Sequence, residues 1–145
     1  MLLTPRILLR PPRDTDAQLI FECHASDPKV TRFVHWPRHS SIDENFECSG
    51  VASTGYVLAQ REWGVGLASE ALQAMVALAD ALEVRRLYAR CHAQHAASIR
   101  VLKKCGFEFE ALLEKHSVFP NFEAAAPQDV HRYVHPSRNR PASVA

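Results

Sequence analysis

The chain has 145 residues, of which 47% are hydrophobic and 23% charged, the size and balance of one globular domain around one core. A formal net charge of +1 gives no electrostatic footprint for nucleic acid or an anionic membrane surface, and no apolar run approaches the length of a membrane span. The first residues, Met1-Leu2-Leu3-Thr4-Pro5-Arg6, lack the long apolar segment of a signal peptide, so a cytoplasmic protein is expected.

Ile7-Leu8-Leu9-Arg10 reads as a short strand stopped by Pro11-Pro12. Asp14-Thr15-Asp16 supplies helix N-caps, after which Leu19, Ile20 and Cys23 mark an apolar helical stripe. Asp27-Pro28 starts another helical turn with Val30, Phe33 and Val34 apolar, and Ser41-Ile42-Asp43-Glu44 has the form of a capping box. That helix must be short, because Gly50 and Gly55 follow closely.

A short apolar run, Tyr56-Val57-Leu58-Ala59, is expected to be a strand. It runs into Arg61-Glu62-Trp63-Gly64-Val65-Gly66 and then a helix whose Ala68, Leu72, Met75, Val76, Ala79 and Leu82 recur at helical spacing. Strand, glycine turn and helix together form a phosphate cradle: backbone N–H groups converge, and the helix dipole adds partial positive charge. Arg61 can add a formal one. No Gly-Lys-Ser/Thr follows, so the turn is not a P-loop. A single Gly-x-Gly is not the dinucleotide fingerprint either.

Farther on, Leu87, Ala89 and Cys91 alternate with Arg86, Tyr88 and Arg90 as a strand. Ser98 to Cys105 forms a helix with Lys103 and Lys104 in its last turn; Gly106 takes the left-handed cap and Phe107 packs behind it. Residues 107–119 are strand-like, and residues 130–134 form a last strand. Residues 1–135 make one layered α+β domain, and 136–145 a disordered polar tail.

The Arg-x-x-Gly-x-Gly turn with its Leu67-Ala68-Ser69-Glu70 continuation resembles the acetyl-CoA pyrophosphate loop of the GNAT N-acetyltransferases. The segment from His95 through Ser98 to Gly106-Phe107 resembles that family's second cofactor segment, usually Asn-x-x-Ser, a helix and Gly-Phe. Thr4-Pro5-Arg6-Ile7-Leu8-Leu9-Arg10 at the start, with Val118-Phe119-Pro120-Asn121 and Asp129-Val130 near the end, is similar to the ribosomal-protein N-acetyltransferase branch.

The resemblance implies a mixed, mostly antiparallel central sheet flanked by helices, and transfer of an acetyl group from acetyl-CoA to a primary amine, a peptide or protein α-amino group or a small molecule. By the same likeness, the backbone of Val57 and Leu58 pairs with the pantetheine arm. Arg61, Gly64, Val65, Gly66, Leu67 and Ala68 cradle the pyrophosphate. His95 stands for the family's Asn, Lys103 reaches a phosphate, and Ser98 is the general acid. Leu102 stands where many relatives carry an acidic tyrosine. Glu22 and Glu44 are candidate bases, and Phe33 and Trp36 could line the acceptor mouth or pack in the core.

In the resembled family, two strands precede the glycine-loop strand, yet only ten residues, 45–54, lie between the capped helix and Gly55 here. They cannot hold two strands and a turn at about five to six residues per strand. The chain therefore looks internally shortened. Either the strand near Ile7 pairs antiparallel with the one at Tyr56-Val57-Leu58, or an open edge invites an edge-mediated or swapped dimer. The competing reading is a catalytically impaired CoA-binding or protein-interaction module. The cysteines Cys23, Cys48, Cys91 and Cys105 show no Cys-x-x-Cys spacing and fit reduced thiols. Among metal-like spacings, Cys91-His92 on a strand would point to opposite faces, so no metal site is expected.

Overall fold

The alternation at residues 86–92 makes one of the two inner strands of the sheet. The computed structural model describes residues 1–34, 50–122 and 126–136. Among them, β3 (Val51–Thr54), β4 (Arg86–His92), β5 (Glu108–Ser117) and β6 (Gln128–Val134) form one sheet in the order β3-β4-β6-β5. The β3–β4 pair is parallel, and β4–β6 and β5–β6 are antiparallel. Buried Leu87, Ala89 and Cys91 share one face of β4, as the two-residue period requires.

Two helices cover that face. In α3 (Leu67–Ala81), Leu72 and Ala79 are buried, and in α4 (Ala96–Lys104), Leu102 is; all three join Leu87, Ala89, Cys91, Cys105, Phe107 and Tyr133 in one core cluster. Burying each large side chain contributes about 1.5–3 kcal/mol relative to exposure. α4 ends as its sequence predicts. Gly106 at φ +83° donates to the Lys103 carbonyl at 3.1 Å, Phe107 N–H bonds back to the Leu102 carbonyl at 3.0 Å, and Phe107 is 2% exposed. The sheet's charged seam is tied by Glu110, which accepts from Arg86 at 2.6 Å and from Arg132 at 2.5 Å.

The N-terminal region departs from expectation in three ways. First, Leu8-Leu9 does not join the main sheet. It pairs antiparallel with Leu2-Leu3 as a separate hairpin of β1 (Leu2–Leu3) and β2 (Leu8–Leu9). The turn between them is closed by Thr4, whose N–H donates to the Ile7 carbonyl at 2.9 Å and whose hydroxyl oxygen accepts from the Ile7 N–H at 3.0 Å. Second, the stripe after Asp14 is a broken helix. A 3-10 turn (Asp14–Asp16) leads into α1 (Ala17–Ile20) and then a π segment (Phe21–Ala25), with Leu19, Ile20 and Phe21 exposed. Third, the strand before the glycine turn lies earlier than predicted, at Val51–Thr54 instead of 56–59, because its partner β4 takes Val51 against Arg86 and Thr54 against Ala89. A second short helix, α2 (Pro28–Thr31), is capped by Asp27, whose carboxylate accepts from the Lys29 N–H at 2.8 Å. The proposed capping box at 41–44, with Glu44, Trp36 and Cys48, lies outside the described residues, as does nearly all of the 136–145 tail.

Candidate active site

Two parallel strands part where the site begins. β3 and β4 are paired only as far as Thr54 opposite Ala89. β4 continues through Arg90, Cys91 and His92 against β6, while residues 55–59 leave the sheet and belong to no strand. The backbone of Val57 and Leu58 is thereby released from ladder pairing. The Leu58 carbonyl accepts one bond, from the Trp63 indole N–H at 3.0 Å.

Tyr56 bridges this parting. Its hydroxyl lies 2.9 Å from Ser98 Oγ and 3.1 Å from the Ser98 carbonyl oxygen, across 42 residues of sequence. Ser98 is 9% exposed in the first turn of α4. Burial pushes the Tyr56 phenol up to about 12, partly offset by its bond with Ser98. Burial likewise pushes the neighbouring Cys91 thiol up to about 11, again with Ser98 as an opposing hydrogen-bond partner. At neutral pH all three groups keep their protons.

The glycine turn has the geometry of an anion cradle. Gly64 and Gly66 have φ of +78° and +87°, the left-handed region that disfavours a Cβ. Gly66 is the N-cap of α3 and no side chain caps it, so the first-turn N–H groups, of Leu67, Ala68 and Ser69, have no intrahelical acceptor. A Cβ built on Gly64 would meet nothing within 4 Å. Arg61 is 66% exposed and touches Glu62 at 3.1 Å, leaving its guanidinium on the solvent side of the turn.

The N-terminal hairpin clamps the back of this loop. Glu70 accepts from the Thr4 hydroxyl at 2.5 Å and from Arg6 Nε at 2.7 Å, and Arg6 Nη1 donates to the Val65 carbonyl at 2.9 Å. Hydrogen bonds from Thr4 above all, then from Arg6, hold the Glu70 carboxyl below its ordinary value against the opposing effect of burial.

Of the residues singled out from sequence, Val57, Leu58, Arg61, Gly64, Val65, Gly66, Leu67 and Ala68 lie along one continuous path from the strand parting to the α3 N-terminus, and Ser98 faces that parting. His95 is the N-cap of α4, but its ring stacks on Phe33 with centroids 4.4 Å apart. Lys103 is exposed in the last turn of α4, more than a turn beyond Ser98. Glu22 lines an open groove with Cys23, Asp27, Ala59, Gln60 and Arg61.

Sequence reasoning missed three features. In the sequence Tyr56 is only part of an apolar run, and its hydroxyl partner is remote along the chain. The Thr4–Arg6 clamp is equally nonlocal. His92, 2% exposed, packs against Phe33, Phe119 and Phe122 on the sheet face opposite Cys91. Its Nδ1 accepts from the Gln94 N–H at 3.0 Å, so in the neutral ring Nε2 carries the proton; that atom has no partner among the described residues. A cavity of about 30 Å³ lies beside His92, with Ser117 and Phe119 in its wall. Burial holds both His92 and His95 below the ordinary imidazole value. Among the described residues, no three His, Cys, Asp or Glu side chains gather as a metal site.

Residues 42–108 match the Acetyltransferase (GNAT) domain family. The chain is 26% identical to the uncharacterized N-acetyltransferase YoaA of Bacillus subtilis (strain 168), over 90% of this chain and 93% of that protein. The alignment runs to 169 positions, more than this chain possesses, so YoaA carries residues with no counterpart here. Against the uncharacterized N-acetyltransferase p20 of Bacillus licheniformis, identity is 33% over 69 residues, 47% of this chain and 39% of p20. Among solved structures, RimL, a ribosomal L7/L12 alpha-N-protein acetyltransferase in complex with coenzyme A, superposes with a TM-score of 0.54 at 25% identity, covering 63% of this chain and 50% of RimL. The chain thus spans about half of RimL and less of p20.

Proposed function

We propose that this chain, whose residues 42–108 match the Acetyltransferase (GNAT) domain family, is an acetyl-CoA-dependent N-acetyltransferase acting on a primary amine, the α-amino group of a peptide or protein. The observation that carries the reading is the uncapped, glycine-initiated start of α3 lying in continuity with the parting of β3 from β4. RimL, by its name a protein α-N-acetyltransferase, supports the choice of acceptor. In this reading, residues 1–135 work as one cytoplasmic domain.

Acetyl-CoA supplies an activated thioester. The chain's own tasks are then to hold, orient and move protons. N–H groups from Gly64 to Ala68 bind the pyrophosphate, and exposed Arg61 adds charge to the same anion. Freed backbone at Val57 and Leu58 pairs with the pantetheine amides as an added strand would. Orientation of thioester and amine can contribute roughly 7–11 kcal/mol of the barrier. Ser98, at the parting, gives its proton to the leaving thiolate. His95 borders the same end of α4, and Lys103 adds long-range positive charge.

One observation favours a second reading. β3 has β4 as its one strand neighbour among the described residues, which is the open edge expected of a sheet lacking two strands. A CoA-binding or interaction module, able to pair this edge with a second copy, would keep the cradle without turnover. Calorimetric titration with acetyl-CoA, followed by free-thiol release with peptides of free or blocked N-terminus, separates the two. The enzyme reading expects a one-site micromolar isotherm, about −8 kcal/mol, and thiol release with free N-termini only. Binding without thiol release selects the module, and absence of binding rejects both.

A further inference from the structure

We propose that Tyr56 is the proton source behind Ser98, the two hydroxyls forming a relay that ends at the leaving sulfur. This inference rests on the reading of Ser98 as proton donor and adds to it a second residue from the opposite side of the strand parting.

The geometry is specific. The Tyr56 hydroxyl has two oxygens of the same residue within reach, the Ser98 carbonyl at 3.1 Å and Ser98 Oγ at 2.9 Å. With its proton on the carbonyl, Tyr56 accepts the bond from Ser98 Oγ–H and the serine is parked. With its proton on Oγ, the serine hydrogen is free to turn toward the parting. The change needs rotation of two hydroxyl hydrogens and no movement of heavy atoms. Anchorage is good, because the Tyr56 ring packs against the core cluster and Ser98 is buried in the first turn of α4.

The chemistry needs such a partner. A serine that gives up its proton alone becomes an alkoxide in a half-buried site, a costly species unless the proton is replaced as it leaves. In the proposed step, the amine's lone pair forms the C–N bond as the C–S bond breaks. The thiolate takes the Ser98 proton, Ser98 takes the Tyr56 proton, and the partly exposed phenolate is reprotonated by water. The proton lost from the acceptor nitrogen leaves to solvent, so charge balances. Leu102, one turn beyond Ser98 and 1% exposed, has no proton to offer. Cys91 is the rival, since its thiol is the other proton-bearing group whose protonation Ser98 influences.

Tyr56→Phe keeps the ring and removes the hydroxyl. Its kcat should fall on the order of 100-fold, within the usual range for acid–base assistance. The calorimetric Kd for acetyl-CoA should stay within twofold. Ser98→Ala should lose as much, and the double variant no more than either single one. Cys91→Ala should keep wild-type kcat. Tyr56→Phe at wild-type kcat, with Ser98→Ala impaired, overturns the relay and leaves the Ser98 reading intact. Full activity in Ser98→Ala overturns both, and a deficit in Cys91→Ala equal to that expected for Tyr56→Phe transfers the role to the thiol. Should Tyr56→Phe fail to fold, kcat of the wild-type protein in H2O/D2O mixtures decides. A bowed dependence reports two protons in flight and supports the relay; a straight line with a normal isotope effect, or no isotope effect, overturns it.

Discussion

The glycine turn allows an experiment in which backbone strain and charge are separated. Gly64 has φ +78°, and a Cβ there would meet no atom within 4 Å. Gly64→Ala therefore costs left-handed strain alone, about 1–2 kcal/mol. For a domain of this size that lowers Tm by a few degrees. Gly64→Glu imposes the same strain and adds a carboxylate at the mouth of the cradle. Taking a separation of about 6 Å from one phosphate charge and an effective dielectric of about 20, the repulsion is about 2.8 kcal/mol, or roughly 100-fold in Kd. Titration calorimetry with acetyl-CoA reads the affinity, and thermal unfolding without ligand reads the strain. The two variants should unfold at similar temperatures while differing about 100-fold in Kd. Equal affinities in Gly64→Glu and Gly64→Ala would refute the placement of the pyrophosphate at this turn.

Other outcomes follow from burial and titration. Leu102→Ala, at a 1% exposed position in the main core, should lose about 2–5 kcal/mol of stability by denaturant unfolding. Gly50→Ala should destabilise measurably in the same assay, because φ is +89° and the new Cβ would lie 2.5 Å from Arg85 Nε. The pH dependence has two stages. His92 and His95 titrate below their ordinary value of 6.5, so the unfolded chain takes up their protons first, and thermal stability should begin to fall as pH drops below about 6.5. Burial alone would raise the Glu110 carboxyl, but its bonds from Arg86 and Arg132 outweigh this and hold it below 4.5. Its contribution is therefore present above pH 4.5 and lost on further acidification. A melting temperature that is flat from pH 7 to pH 5 would contradict the first stage, and one that stays flat from pH 5 to pH 2 the second.

What the sequence disclosed was set by local physics. The α3 stripe at Leu72, Val76 and Ala79, the Lys103-Lys104-Cys105-Gly106 terminus and the alternation through Leu87, Ala89 and Cys91 each fix their own conformation within a few residues, and each formed where read. The positive-φ glycine turn that starts α3 was legible for the same reason. The strand before it was misplaced because Tyr56-Val57-Leu58-Ala59 is the more apolar run, whereas pairing with β4 selected Val51-Ala52-Ser53-Thr54. β1 was missed because a two-residue strand carries no period. The Tyr56–Ser98 and Arg6–Glu70 contacts join residues 42 and 64 apart, a distance over which one sequence carries no signal.

The strand parting, the glycine turn and Ser98 all fall between Val51 and Gly106, and the N-terminal hairpin touches this unit from outside through Thr4 and Arg6. Chain length upstream can therefore change without shifting the relative positions of the groups that would hold and cleave a thioester.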